Sequence, residues 1–414
     1  MIDLSADPLD LSDLSKINYS LYSLQMNPFP AIGIPEEAPS TTADRREILE
    51  EFRRSLSRTL FDNKKTIMVV TGDFGAGKSH ILKYFRFKVN VQLLQDEKVL
   101  AIYVKTVGRN FRDLYLNFVD GISRDFFSEL ASSIVKKQME DLGDAKLRKF
   151  VFDKELDKIE DLAKVNVDSY LRGSRSLDFF KSIRAKYSGI SNSNAIYAIL
   201  NLAHPVYSSA AWRWLLGESI SKEEMFQILV DGFVGDVKES QSTLIGIIEF
   251  LLNAKLNAVT ILIDELEKLT LIPRNLREVY MDDIRHFIDD MPAKVFVILA
   301  ITPTAYNDIN QFETALTRRL AGTEQELRFF TPDDTKELIA RYLKLGRKTQ
   351  YVPSNFKETS AEFFPFTFGA IERIDSRSKG LISKIITLCR EGIELGIVQR
   401  KRLIDEEIID SVKL

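Results

Sequence analysis

The residues Thr66-Ile67-Met68-Val69-Val70-Thr71 run directly into Gly72-Asp73-Phe74-Gly75-Ala76-Gly77-Lys78-Ser79, and a helical pattern starts at Lys78. A short, mostly β-branched apolar run ending at glycine reads as a buried parallel strand. The glycines let the backbone turn so that successive N–H groups point inward at an anion. The helix that opens at Lys78 adds its positive dipole end. Lys78 adds a point charge for β- and γ-phosphates, and Ser79 a hydroxyl that can ligate Mg²⁺. Gly72, Gly75, Ala76, Gly77, Lys78, Ser79 and His80 are therefore the expected cradle for ATP phosphates.

A second constellation follows far along the chain. Ile261-Leu262-Ile263 is an apolar strand that ends in Asp264-Glu265. In a parallel sheet this places two carboxylates at the C-terminal strand edge, where ligands bind. Asp264 would hold Mg²⁺ and Glu265 would polarise the attacking water. Thr302 ends the apolar run Val295 to Ile301 and reads either as a water-positioning group or as a simple strand-to-loop cap. Arg318 and Arg319 read either as a salt-bridged helix end or as an arginine reaching a neighbouring subunit's γ-phosphate.

Strands at 66–71, 99–104, 259–263 and 295–301 alternate with helical patterns, one of them a long helix from Phe111 to Ile134. This implies an α/β fold with a parallel sheet. Residues 1–43 read as an extended arm, proline-punctuated at Asn27-Pro28-Phe29-Pro30. It either crosses the nucleotide base or is an unstructured leader. Residues 44–330 form the nucleotide-binding domain, with a charged helical insertion at about 137–237, and residues 331–414 an all-helical lid. Thr331-Pro332-Asp333-Asp334 is a strong helix start. Further lid helices are expected from about Ser378 to Arg400 and from about Asp405.

A net charge of −3 argues against a protein dominated by binding to nucleic acid or acidic membranes, although a local basic groove would be averaged away. One cysteine and three scattered histidines leave no disulfide and no zinc set. The first residues lack the basic start and apolar run of a signal peptide. No stretch is long enough to span a membrane. The expected location is the reducing cytoplasm.

These marks in this order (phosphate loop, Asp-Glu strand, polar strand end, arginine, helical lid) resemble the AAA+ ATPases of the initiator-like clade, over residues 45–410. The arm Asn27-Pro28-Phe29-Pro30 is similar to the leader of transposition and secretion ATPases. Trp212-x-Trp214-Leu215-Leu216-Gly217-Glu218, Ile263-Asp264-Glu265-Leu266-Glu267-Lys268-Leu269, Ile288-Asp289-Asp290 and Ile301-Thr302-Pro303 resemble the ATP-binding proteins of BREX-type phage-defence islands. The chain departs from the pattern twice. Lys78 and Asp264 lie 186 positions apart (264 − 78), and the inserted helices account for the excess. The lid position that normally carries an arginine falls at or beside Gly380, with Arg377 or Lys379 as substitutes.

The resemblance implies an ATP hydrolase that assembles with itself into a ring or filament and works as a motor or loader. Double-stranded DNA, bound without sequence preference, is one implied partner, and a nuclease or helicase another; no membrane is implied. Basic runs at Lys146-Leu147-Arg148-Lys149, Arg172-Gly173-Ser174-Arg175 and Gln399-Arg400-Lys401-Arg402 read as DNA contacts or as solvated helix faces. The chain ends soon after the lid, so no winged-helix DNA reader is expected behind it. The competing reading is a slow-turnover switch that binds ATP and recruits a nuclease or helicase. A small-molecule kinase on the same scaffold fits the Asp-Glu strand and the lid less well.

Overall fold

The computed structural model describes residues 19–30, 45–312, 324–348 and 357–413. The chain divides into two compact units. One comprises Met1–Glu50, Thr71–Phe87 and Glu326–Leu414, the other Glu51–Val70 and Lys88–Gln325.

Five strands, β1 (Thr66–Gly72), β2 (Val99–Val104), β3 (Ala258–Ile263), β4 (Val295–Ile301) and β5 (Glu324–Leu327), form one sheet in the order β2-β3-β4-β1-β5. β2 runs parallel to β3, and β3 to β4. Val104 pairs with Ile263 and Ile263 with Leu299, so the C-terminal ends of these strands finish at one edge. Every residue of β3 and β4 is buried. A strand covered on both faces has no solvent side, which explains unbroken apolar runs in place of alternation. The expected α/β parallel-sheet architecture is present. β5, a four-residue strand with only Leu327 buried, was not expected from the residue pattern.

Helix α1 (Arg46–Phe61) precedes β1, and α2 (Lys78–Gln92) follows the phosphate loop. The expected single helix from Phe111 to Ile134 is two, α3 (Phe111–Ile122) and α4 (Arg124–Leu147). Ser123 breaks the run at φ 76° and caps α4 by accepting from Phe126 N–H. In α3, Phe111, Leu114, Tyr115, Phe118, Val119 and Ile122 form one buried stripe. Each such residue contributes roughly 1.5–3 kcal/mol on burial.

Helices α5 (Lys154–Asp157), α6 (Val167–Gly173), α7 (Ser176–Ala185), α8 (Ser193–Asn201), α9 (Ser208–Leu215), α10 (Lys222–Gln227) and α11 (Val237–Ala254) lead back to β3. They share one apolar core with β2, β3 and β4. The tryptophan segment is fixed inside it. Trp214 Nε1 donates to Gly232 O at 2.7 Å, and Tyr115 OH donates to Leu215 O at 2.6 Å. Helices α12 (Arg274–Asp290) and α13 (Pro303–Phe312) flank β4.

The C-terminal helices Pro332–Gly346, Phe368–Ser378, Ile382–Val398 and Glu406–Ser411 form a bundle with its own core. Thr331 and Asp334 cap the first helix reciprocally, and Asp405 caps the last. The helix expected from Ser378 begins instead at Ile382, because Lys379 and Gly380 both turn left-handed. Tyr22, Leu24 and Phe29 are fully buried in this bundle's core. Asn27 Nδ2 donates to Arg390 O at 3.1 Å, and Arg390 Nη1 donates to Phe29 O at 2.8 Å. Residues 19–30 are thus a built part of the bundle.

Candidate functional site

The phosphate loop belongs to the unit that contains the bundle. β1 ends at Gly72 and α2 opens at Lys78. Gly75 and Gly77 have φ of +83° and +100°. Such a backbone costs an L side chain roughly 1–2 kcal/mol. A β-carbon at Gly77 would stand 2.6 Å from Ile382 Cδ1, and one at Gly75 2.8 Å from Leu381 Cδ2. Conformation and space therefore both require glycine there. Ala76 is buried, Ser79 is exposed and His80 is half-buried on the first turn of α2. Lys78 folds back on the loop. Its Nζ donates to Gly72 O at 2.8 Å and to Asp73 O at 3.4 Å, and lies 5.4 Å from the centre of the exposed Phe74 ring.

Arg45 fastens this loop, a role no local motif marks. One guanidinium nitrogen donates to Ala76 O and another to Arg328 O, each at 3.0 Å. The same group lies 4.7 Å over the Phe330 ring, and Phe330 N–H donates to Gly380 O at 3.0 Å. A β-carbon at Gly380 would meet Phe330 O at 2.4 Å, so the departure from an arginine at this lid position has a steric reason. Arg377, one substitute offered by the sequence, is spent elsewhere. Its guanidinium donates to Ile409 O and, at 2.9 Å, to Val412 O. Lys379 forms the left-handed cap of the preceding helix.

The carboxylates belong to the other unit. Asp264 is 1% exposed. Its N–H donates to Val104 O at 2.9 Å, which continues the β2–β3 ladder. Its Oδ1 accepts from Glu265 N–H at 2.8 Å and its Oδ2 from Tyr103 OH at 2.7 Å. Both oxygens are thus oriented before any ligand arrives. Tyr103 was not legible as a site residue, because only the parallel pairing of β2 with β3 brings it alongside. Glu265 sits at φ 56°, ψ 36°, a rare conformation for a non-glycine residue. Its carboxylate pairs with Lys268 Nζ at 2.5 Å. Thr302 ends β4, the strand between β3 and β1. Its hydroxyl accepts from Ala305 N–H at 3.4 Å, which is the cap arrangement. Arg318 and Arg319 lie outside the described residues.

Among the described residues, no group of three or more His, Cys, Asp or Glu side chains could hold a metal. Mg²⁺ ordinarily takes one or two carboxylates plus substrate phosphates rather than an all-protein cage. Asp264 offers a buried carboxylate in one unit and Ser79 an exposed hydroxyl in the other.

Residues 44–345 match the model of the BREX system ATP-binding protein BrxC/D. The chain belongs to this family. Among solved structures it is similar to the Aeropyrum pernix ORC2 protein in ADPNP–ADP complexes. The two are 11% identical at a TM-score of 0.50, over 92% of this chain and 69% of that one. The Aeropyrum pernix ORC1 protein in complex with DNA is also similar, at 12% identity and a TM-score of 0.46, over 91% of this chain and 66% of that one. At such identities the likeness to ORC2 shows a shared fold and nothing finer. No curated protein sequence matches the chain. Among the described residues no helix is long and apolar enough to cross a membrane.

Proposed function

We propose that this BREX-family chain is a cytoplasmic ATP hydrolase acting in phage defence, and that its two groups of site residues serve one Mg-ATP. Sheet order carries the reading. β4 lies between β1 and β3, the strands whose C-terminal ends bear the phosphate loop and Asp264-Glu265. Ligands of α/β sheets bind at that edge.

In this reading Lys78 leaves the Gly72 carbonyl for the β- and γ-phosphates, and the loop N–H groups of Gly75 to Ser79 hold the remaining oxygens. Ser79 and Asp264 would hold Mg²⁺, which offsets charge on the phosphate oxygens. Tyr103 keeps Asp264 aimed. Glu265, released from Lys268, polarises the attacking water. The γ-phosphorus–bridging-oxygen bond breaks as the water oxygen bonds to phosphorus, and ADP and phosphate leave. Thr302 helps to place that water if its hydroxyl turns from Ala305.

The chain would work as a homo-oligomeric ring or filament, with Arg318 or Arg319 reaching the next subunit's γ-phosphate. Double-stranded DNA would be bound through its backbone, with steep salt dependence. A nuclease or helicase would be the partner. The test is particle size with and without a non-hydrolysable ATP analogue, alongside ATPase rates with and without DNA. Growth on adding the analogue and a DNA-stimulated rate, abolished by Lys78→Ala and Glu265→Gln, are expected. A strict monomer under both conditions overturns the inter-subunit role of Arg318 and Arg319.

The Glu265–Lys268 ion pair favours a second reading, a switch that turns over slowly and recruits its partner while ATP is bound. A rate unaffected by DNA, with Glu265→Gln retaining defence, selects it.

A further inference from the structure

In each basic run picked out in the sequence, one side chain is occupied. Arg148 donates to the Asp157 and Ile159 carbonyls, Arg175 to the Lys149 carbonyl, and Lys401 pairs with Asp405. A different positive cluster forms away from these runs. A cavity of about 370 Å³ lies between α4, the end of α7, the end of α11 and the turn before β2. Lys98, Lys137, Lys186 and Lys255 line it, from four separate stretches of chain, against one acid, Asp141.

Only Lys186 is paired, with Asp141 at 2.9 Å. Lys98, Lys137 and Lys255 make no ion pair among the described residues. The local formal charge is +3 (4 − 1), in a chain whose net charge is −3. Like charges gathered around a concavity repel one another and raise the local concentration of anions.

The cavity is shaped as well as charged. Leu130, Ile134, Ile183 and Ala254 give it an apolar wall. Tyr187 adds an aromatic ring, held edge-on to Phe250 at 5.0 Å between centroids. Gln138 is only 3% exposed, yet its carboxamide nitrogen makes a single long hydrogen bond, 3.5 Å to Ser182 Oγ. Buried amides are ordinarily better satisfied. Lys98 holds a left-handed backbone, φ +54°, while its carbonyl accepts from Asn257 N–H at 2.9 Å. Strain of this kind at a non-glycine residue collects at ligand sites.

We infer that this cavity is a second anion site, independent of the phosphate loop, and that it takes one nucleotide unit. Its phosphate sits among Lys98, Lys137 and Lys255, and its base or sugar lies on the apolar wall and Tyr187. The volume is at the low end of small-ligand pockets, which suits a group of that size. Lys98 and Lys255 precede β2 and β3, so the cavity opens at the strand edge opposite Asp264.

The test uses the full chain carrying Lys78→Ala, which removes phosphate-loop binding, with and without Lys98→Glu plus Lys255→Glu. The probes are AMP and a ten-residue oligothymidylate. At least one probe binds the Lys78→Ala chain, with affinity that falls as salt rises. The double reversal weakens that binding roughly a hundredfold, taking about tenfold for each charge-assisted contact. Lys98→Arg plus Lys255→Arg retains it. Binding of AMP marks a free nucleotide as the ligand, and binding of the oligonucleotide alone marks a strand. The inference fails if neither probe binds, or if the reversed chain, melting at the same temperature, binds equally well. Lys137→Glu gives an independent reading should the double variant not fold.

Discussion

Lys268→Ala is the perturbation that separates a restrained glutamate from an idle one. In the proposed reaction Glu265 polarises water, but its carboxylate is paired with Lys268 at 2.5 Å, and the two side chains are 38% and 45% exposed. Ion pairs between side chains this exposed are worth about 0.2–1 kcal/mol, the pairing Glu265 Oε2 itself being shielded. If Glu265 must leave Lys268 to act, removing the lysine lowers the barrier by that amount. The turnover number then rises roughly 1.4- to 5-fold. KM should stay unchanged, since Lys268 has no assigned contact with phosphates. Phosphate release at saturating ATP is the assay, with Glu265→Gln as the floor and Lys268→Arg as the control that keeps the pair. Added salt should narrow the gap between parent and Lys268→Ala, because screening already loosens an exposed pair. A turnover number that is unchanged or lower in Lys268→Ala, with Glu265→Gln at the floor, refutes the restraint.

Three further outcomes are expected. Tyr103→Phe strips the donor from the buried Asp264 Oδ2, which costs roughly 1–3 kcal/mol; melting should fall and half-maximal activity should need more Mg²⁺, whereas superimposable melts and titrations contradict the orienting role. Gly77→Ala should abolish binding of an ATP analogue. Adding Ile382→Ala should not restore it, since φ +100° persists after the 2.6 Å overlap is relieved; recovery in the double variant would show that crowding alone was at fault. His204 lies buried with Nδ1 accepting from Val206 N–H at 3.1 Å, and burial, then Arg172, pushes its pKa from 6.5 down to about 4. The unfolded chain therefore binds the extra proton between about pH 6.5 and 4, and stability drops as pH falls through that window. His204→Asn, which keeps an acceptor without titrating, should flatten this part of the melting profile; an unaltered slope assigns the acid sensitivity elsewhere.

How far the sequence could be read depended on whether a residue's partner lay nearby in the chain. β2 was expected at Val99 to Val104 and forms there, because an unbroken apolar run answers to burial on both faces alone. The cap at Thr331 was legible because its partner, Asp334, is three residues away. Ser123 defeated the expected long helix through a single left-handed residue inside an otherwise apolar repeat. β5, with one buried residue in four, carried no pattern to read. The same rule divides the site. The glycines and Lys78 form one local turn. Tyr103 meets Asp264, 161 positions away, only through the parallel β2–β3 pairing, and Arg45 reaches Arg328 across 283. The cavity lysines come from four stretches with no shared spacing, so no window of sequence contains the cluster.

Asn27 and Phe29 depend on Arg390, which lies 363 positions after Asn27. During synthesis, residues 19–30 leave the ribosome long before the bundle that buries them exists. The unit holding β2, β3 and β4, whose core among the described residues is supplied by residues up to Ile309, can consolidate first. Tyr22, Leu24 and Phe29 stay uncovered until the Ile382–Val398 helix has emerged. Closing so long a loop is a slow, non-local step. The bundle beside the phosphate loop is therefore the last part of the molecule to form, and a chain that stalls before residue 390 presents a finished sheet with an exposed apolar arm.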